Sequence, residues 1–175
     1  HGEPVCVFVG KDDSGKAKFA CMRSTSGNLK KDVYGSDKGY NFCYPPQSPG
    51  SRHVAVFEAP IDALSHATLQ ELEGWKWNGY RLSLGGTSHV ALNSFLERHP
   101  EIRRVTLYMD HDLAGFVNAR KIKTMLHEDK RFRHIRVSVN PPRMGKDYNE
   151  KLLQVREQLQ TSQHQRRPKE AAVSI

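Results

Sequence analysis

Long hydrophobic runs are missing from this 175-residue chain. No apolar stretch approaches the ~18–20 residues that a membrane-spanning helix needs, and no secretory leader pattern opens the chain. Cysteine is scarce. Cys6, Cys21 and Cys43 are isolated and odd in number, with no C-x-x-C pair, which argues against a disulfide framework and a zinc ribbon. A reducing, cytoplasmic setting is the simplest expectation. The signatures of the common hydrolase triad, zinc protease, P-loop and dinucleotide folds (G-x-S-x-G, H-E-x-x-H, Walker A, G-x-G-x-x-G) are all absent. An initiating Met is absent too, so the His1-Gly2-Glu3 start reads as the beginning of a piece cut from a longer protein.

What remains is a charged, basic chain with a modest apolar share. Hydrophobic residues make up 37% and charged residues 26%, which supports one ordinary domain plus a small appendage. The net charge of +8 is spread along the chain, +2 over 1–50, +3 over 51–150 and +3 over 151–175. Such a balance permits a polyanionic partner, DNA or RNA above all, without demonstrating one.

The pattern divides the chain at Pro45-Pro46-Gln47-Ser48-Pro49-Gly50. Before it, Val5–Val9 and Lys18–Met22 read as two strands around the turn chemistry of Asp12-Asp13-Ser14-Gly15, with a further strand near Tyr40–Tyr44. Residues 1–50 are therefore expected to form a small β-rich subdomain. After the linker, four apolar strands alternate with four helical patterns: Val54–Phe57, Tyr80–Leu84, Val105–Met109 and Ile135–Val139. Pro60 suits a helix start, Ser88 a helix cap, and the last helix runs from about Tyr148 to Leu159. That alternation predicts an α/β domain over 51–160 with a parallel sheet of about four strands and flanking helices. The polar tail, 161–175, is expected to be disordered.

Chemistry-bearing residues follow each strand. Glu58 comes straight after the first, and a carboxylate there costs free energy unless it is paired, hydrated or metal-bound. Asp62, one helical turn on, can face the same site or favour the positive end of its helix. Gly85-Gly86-Thr87 after the second strand suits either a tight turn or a phosphate cradle at a helix start. Asp110 and Asp112 follow the third strand. They suit a hard divalent cation, and Asp112 equally suits a helix cap. Lys146 and Asp147, beside Gly145, can hold phosphate and metal or simply lead into a capped helix. Arg103, Arg104, Arg120, Lys121, Lys123 and the run Lys130–Arg136 can track a phosphate backbone or form a solvated face. His66, His89, His99 and His111 show no ligand spacing.

Taken in order, Glu58, Gly85-Gly86-Thr87, Asp110-x-Asp112-x-x-Gly115 and Gly145-Lys146-Asp147 resemble the Toprim domain over roughly residues 52–155. That family is shared by primases, topoisomerases, some nucleases and recombination proteins. The likeness is greatest to primase-like members, where a Gly-Lys-Asp loop precedes the last helix. The β-rich leader, with its Gly35-Ser36-Asp37-Lys38, resembles the domain preceding Toprim in proteins of plasmids and conjugative elements. The resemblance implies a Rossmann-like Toprim fold and a Mg2+ (or Mn2+) site of Glu58, Asp110, Asp112 and Asp147. It implies Glu58, Asp110, Asp112 and Lys146 as catalytic residues; with the residue-level readings above, the expected phosphate or nucleic-acid contacts are Gly85, Gly86, Thr87, Lys146, Arg120 and Lys123. Its implied partners are DNA or RNA, nucleoside triphosphates and further domains of a longer parent. Two departures stand out: Ala59-Pro60 follows Glu58 where primases typically have Gly, and His111 sits between the aspartates where a small residue is common.

Overall fold

The computed structural model describes the backbone of residues 4–170 and the side chains of residues 4–162. The leader begins with an antiparallel sheet, β1 (Val5–Lys11), β2 (Ala17–Ser24) and β3 (Lys30–Asp32), in that spatial order. The β1–β2 turn is fixed by Asp12, whose Oδ1 accepts from the Ser14 and Lys16 backbone N–H groups and the Ser14 hydroxyl. A 3-10 turn at Lys38–Tyr40 then leads to β4, Cys43–Tyr44.

The second sheet holds β5 (His53–Phe57), β6 (Tyr80–Ser83), β7 (Arg104–Leu107) and β8 (Arg136–Val139), all parallel. The helices between and after them are α1 (Pro60–Glu73), α2 (Val90–Arg98), α3 (Leu113–Glu128) and α4 (Tyr148–Glu170). The four-stranded parallel sheet matches the sequence expectation. The fifth member does not come from the α/β unit at all: β4 of the leader pairs antiparallel with β6, giving the order β4-β6-β5-β7-β8. The proline-rich linker therefore separates two sequence patterns but not two sheets.

Strand alternation assigns the two faces of this sheet. Val54, Val56, Leu82, Val105 and Leu107 pack beneath α2 and α3 with Leu92, Phe95, Ile122 and Leu126. Ala55 and Phe57 face the other way, into Ala63, Leu69, Tyr108 and Tyr148 under α1 and α4. Buried here is Arg81, 2% exposed, which donates from Nε to His66 Nδ1 and from a terminal nitrogen to Gln70 Oε1. Burial pushes the His66 ring down to about 3, so it is neutral and free to accept that bond. Phe8, Phe19 and Cys21 form the leader's own cluster, closed by Tyr40, Phe42 and Leu64 of α1.

Helix boundaries differ from expectation in two places. α2 starts at Val90, and Ser88 accepts at a long 3.4 Å from the Val90 N–H, so it does not cap the helix from the N-cap position. α4 runs past the expected end near Leu159, as far as Glu170. Gln, Glu, Arg and Lys are good helix formers, so a polar composition alone does not end a helix. Residues 171–175 lie outside the described residues.

Strand order now locates the site. The parallel part of the sheet starts at β5, moves to β6 on one side, then crosses to β7 on the other. The switch point of this sheet is the crevice at the C-terminal ends of β5 and β7, where open α/β sheets place their ligands.

A close approach also ties the leader to the rest. A Cβ on Gly10 would lie 1.6 Å from the Tyr40 carbonyl oxygen. Gly10→Ala is expected to cost about 1–3 kcal/mol by overpacking against backbone. The measurement is a urea midpoint, with a lowered midpoint expected for the variant.

Candidate active site at the sheet switch point

Glu58 leaves β5 and Asp110 follows β7, so the two flank the switch point. Their register is held by the Asp110 backbone N–H, which donates to Glu58 Oε1 at 3.4 Å. Both are partly buried. Burial, with Asp110 beside it, raises the Glu58 carboxyl above its ordinary range. Burial and the neighbouring Asp147 raise Asp110 in the same way.

Asp112 takes the helix-cap role its sequence position allows, and its second oxygen meets a lysine. It is the N-cap of α3, its Oδ1 accepting from the Gly115 N–H at 2.8 Å. Its Oδ2 faces the crevice and lies 3.2 Å from Lys146 Nζ. The Gly115 bond and Lys146 hold the Asp112 carboxyl below its usual range. Gly115 itself is dictated by space, because a Cβ there would sit 2.1 Å from the Asp110 carbonyl oxygen.

The Gly145-Lys146-Asp147 loop closes over the same edge. The Lys146 carbonyl accepts from the His111 N–H at 2.6 Å, which pins this loop to the aspartate loop. Lys146 Nζ lies between the aspartates, 3.2 Å from Asp112 and 3.8 Å from Asp110. Asp147 Oδ1 accepts from the Glu150 N–H, in the manner of a helix cap for α4, and Glu150 in turn accepts from the Lys146 N–H.

Asp62, whose role the sequence left open, is 5% exposed and accepts from the Asn149 N–H at 3.1 Å. It thus joins α1 to the first turn of α4. Burial first, then the charge of Asp147, pushes its carboxyl up to about 7.

Other expected contacts are placed less directly. The Gly85 N–H already donates to Ser83 Oγ and the Gly86 N–H to the Glu58 carbonyl, so those two donors are occupied by the turn itself. Gly85 and Gly86 have φ of 68° and 139°, conformations that suit glycine. Thr87 and Ser88 are exposed. Arg120 and Lys123 are exposed on α3, about 12 and 16 Å along the helix from its cap at 1.5 Å per residue, and are not brought to the carboxylates.

The sequence reading missed the leader's contribution. Asp32, Lys38 and Asn41 line a cavity of about 190 Å³ together with Gly85, Gly86, Thr87 and Ser88. Asn41 donates to the Leu84 carbonyl at 3.1 Å. Lys38 belongs to the Gly-Ser-Asp-Lys segment already noted, but nothing in its spacing signals that it meets the glycine loop.

Residues 55–152, more than half of the chain, match the model of the Toprim-like family. The chain belongs to the Toprim-like family. No curated protein matches it. Among solved structures, it is similar to the primase fragment of the bacteriophage T7 primase-helicase protein. There the TM-score is 0.59 at 22% identity over 90% of this chain and 60% of that one. It is also similar to the DnaG catalytic core, with a TM-score of 0.57 at 16% identity, covering 83% of this chain and 46% of that one. The zinc-binding and RNA polymerase domains of the Aquifex aeolicus primase give 0.56 at 16%, covering 89% and 38%. These likenesses concern the fold. This Toprim-like chain spans less than two thirds of each of those three structures.

A divalent cation is the group that the Toprim-like family implies, and the donor chemistry fits it. Glu58, Asp110, Asp112 and Asp147 are hard oxygen donors converging on one edge, and Glu58 and Asp110 lack a neutralising partner sufficient to keep their carboxyls in the ordinary range. Among the described residues, no three acidic, histidine or cysteine side chains are gathered closely enough to hold a metal ion as they stand. The cation now between Asp110 and Asp112 is the Lys146 ammonium.

Asp62 yields a pH test. Unfolded, its carboxyl titrates near 3.8; folded, near 7. Between those values the folded chain binds the extra proton, so this group's effect on stability becomes less favourable as pH rises from about 4 to 7. At about 1.4 kcal/mol per pH unit, the effect is capped near 4 kcal/mol. Asp62→Asn is expected to melt close to wild type near pH 4 and above it at pH 8, measured by thermal denaturation across that range.

Proposed function

We propose that this Toprim-like domain is a Mg2+-dependent (or Mn2+-dependent), primase-like nucleotidyl transferase acting in the DNA replication of a plasmid or other mobile element. Its templates and substrates would be nucleic acid and nucleoside triphosphates, and it would act within a larger, cytoplasmic protein. The observation that carries the reading is the carboxylate set at the switch point, Glu58 against Asp110, with Asp112 and Lys146 facing them. The likeness to primases supports it further. Coverage of 90% of this chain exceeds the Toprim-like match, so the shared fold takes in the leader as well. The leader's Gly-Ser-Asp-Lys segment is what favours the mobile-element setting.

Glu58, Asp110, Asp112 and Asp147 would hold the cation. A divalent ion bound there would favour ionisation of a 3′-hydroxyl and offset charge on the phosphoryl group in transfer. Glu58, half-buried and with its carboxyl raised by burial, is placed to take up the hydroxyl proton. Lys146, on a loop pinned to the aspartates, supplies positive charge to an incoming phosphate. Doing so requires it to leave Asp112, and its exposed side chain is free to swing. The leader's Lys38 and Asn41, across from Thr87, flank the approach to the same edge.

A second reading, a binding or assembly module without turnover, is favoured by one observation: the Lys146–Asp112 ion pair already supplies a cation to the carboxylates. A third outcome, hydrolysis of phosphodiester bonds, uses the same residues with water as the nucleophile.

One experiment separates them. Incubation with single-stranded DNA, labelled nucleoside triphosphates and Mg2+ or Mn2+ is expected to yield new oligoribonucleotides. Glu58→Gln is expected to lower the rate by about 10²–10⁴-fold, and Asp110→Ala and Asp112→Ala to abolish it. Shortened DNA would assign nuclease activity instead. Tight DNA binding with no product, indifferent to EDTA, would assign the binding role.

A further inference from the structure

The edge of the sheet opposite the carboxylates carries a second concentration of charge, of the other sign. Arg52 immediately precedes β5, Arg103 immediately precedes β7, Arg104 opens it, and Arg136 opens β8. Backbone hydrogen bonds hold these three segments side by side. The Arg52 carbonyl accepts from the Arg103 and Arg104 N–H groups, and the Arg103 carbonyl accepts from Arg136. All four arginines are exposed. Among the described residues none of them forms an ion pair with a carboxylate, although Arg131, close by in sequence, is paired with both Glu97 and Asp129. Arg103 spends its guanidinium on the carbonyls of Pro100 and Ile102. A cavity of about 340 Å³ opens here, lined by Arg103, Arg104, His134 and Arg136.

The register makes this arrangement costly. Arg104 and Arg136 are directly paired across β7 and β8, so their side chains leave the same face from strands about 4.8 Å apart. Like charges placed opposite each other destabilise a sheet. His53 completes the row on β5, in register with Arg104. A cluster that repels itself and has no internal counter-ion is suited to an external polyanion.

We propose that this edge is a second nucleic-acid contact, in which Arg52, Arg103, Arg104 and Arg136 grip the phosphate backbone of a strand outside the carboxylate site. An acidic protein partner fits less well. Stable protein interfaces are built around a desolvated apolar core, and the lining here is basic throughout. Phosphate contacts need little beyond cations. Six residues of extended chain separate Arg104 from Asp110, about 20 Å at ~3.3 Å per residue, so one phosphate cannot touch both. A strand reaching both edges has an open route along the margin of the sheet, where Arg136, Ser138 and Asn140 are exposed.

The test measures binding, not turnover, so its outcome stands apart from that of the primer-synthesis assay. A fluorescent single-stranded oligonucleotide is titrated with the full chain at several salt concentrations, using wild type, Arg104→Glu/Arg136→Glu and the crevice variant Lys146→Ala. Both arginines are exposed, and circular dichroism checks that the double variant folds. Loss of two phosphate contacts is expected to weaken binding at least 10-fold at low salt and to reduce the salt slope by about 1.4, at ~0.7 per contact on a single strand. Unchanged affinity and slope in the double variant would overturn the proposal. So would a polyglutamate peptide that binds as tightly as DNA and loses that binding in the same variant, which would assign the edge to an acidic protein.

Discussion

Carboxylates crowded at the mouth of a parallel sheet repel one another, and much of the local structure manages that repulsion. Glu58 and Asp110 are brought together because β5 and β7 are neighbours at the point where the chain reverses its direction across the sheet. Burial raises both carboxyls, helped by Asp110 at Glu58 and by Asp147 at Asp110, and Asp62 behind them rises further, to about 7. Backbone N–H groups at the starts of α3 and α4 answer part of the cost, through Asp112 to Gly115, Asp147 to Glu150 and Asp62 to Asn149. Those helix ends carry partial positive charge that favours nearby acids. Lys146 supplies a full positive charge between the two aspartates.

This constraint links the two halves of the chain. The loops that carry the acids must approach one another at backbone distance, which is why Gly115 has no room for a side chain against Asp110. The His111 N–H bond to the Lys146 carbonyl fixes the distance between the aspartate and lysine loops. On the far side, the leader adds β4 to the sheet and sets Lys38 and Asn41 against the glycine loop. The glycine loop after β6 is thus flanked by the leader, across a cavity lined by Asp32, Lys38 and Asn41. At the opposite edge the charge is reversed, so the sheet presents acids at one end of its strands and arginines at the other.

Much of this was legible from sequence because it depends on local periodicity. The four apolar runs and the helices between them gave the parallel sheet, and strand-end placement put Glu58, Asp110 and Lys146 on one edge. What escaped was long-range. β4 is two residues long and pairs with β6 through an interaction that no local pattern encodes. The double role of Asp112 needs both of its oxygens to be located, one on Gly115 and one toward Lys146. Sequence also grouped Arg103, Arg104, Arg120 and Lys123 as one basic set. Strand direction divides them, since residues that open β7 lie at the opposite end of the sheet from those that follow it. The last helix outran its expected end because polar residues with straight side chains support helix as readily as they support solvation.

The central claim is that the crevice between Glu58, Asp110 and Asp112 is a divalent-cation site in which the Lys146 ammonium is the resident, displaceable charge. A crystal of the protein soaked in Mn2+ and measured at the manganese edge tests it most directly. The account predicts anomalous density bounded by these three carboxylates, with Lys146 Nζ withdrawn from Asp112. No anomalous density there, with Lys146 still seated between Asp110 and Asp112, would contradict it.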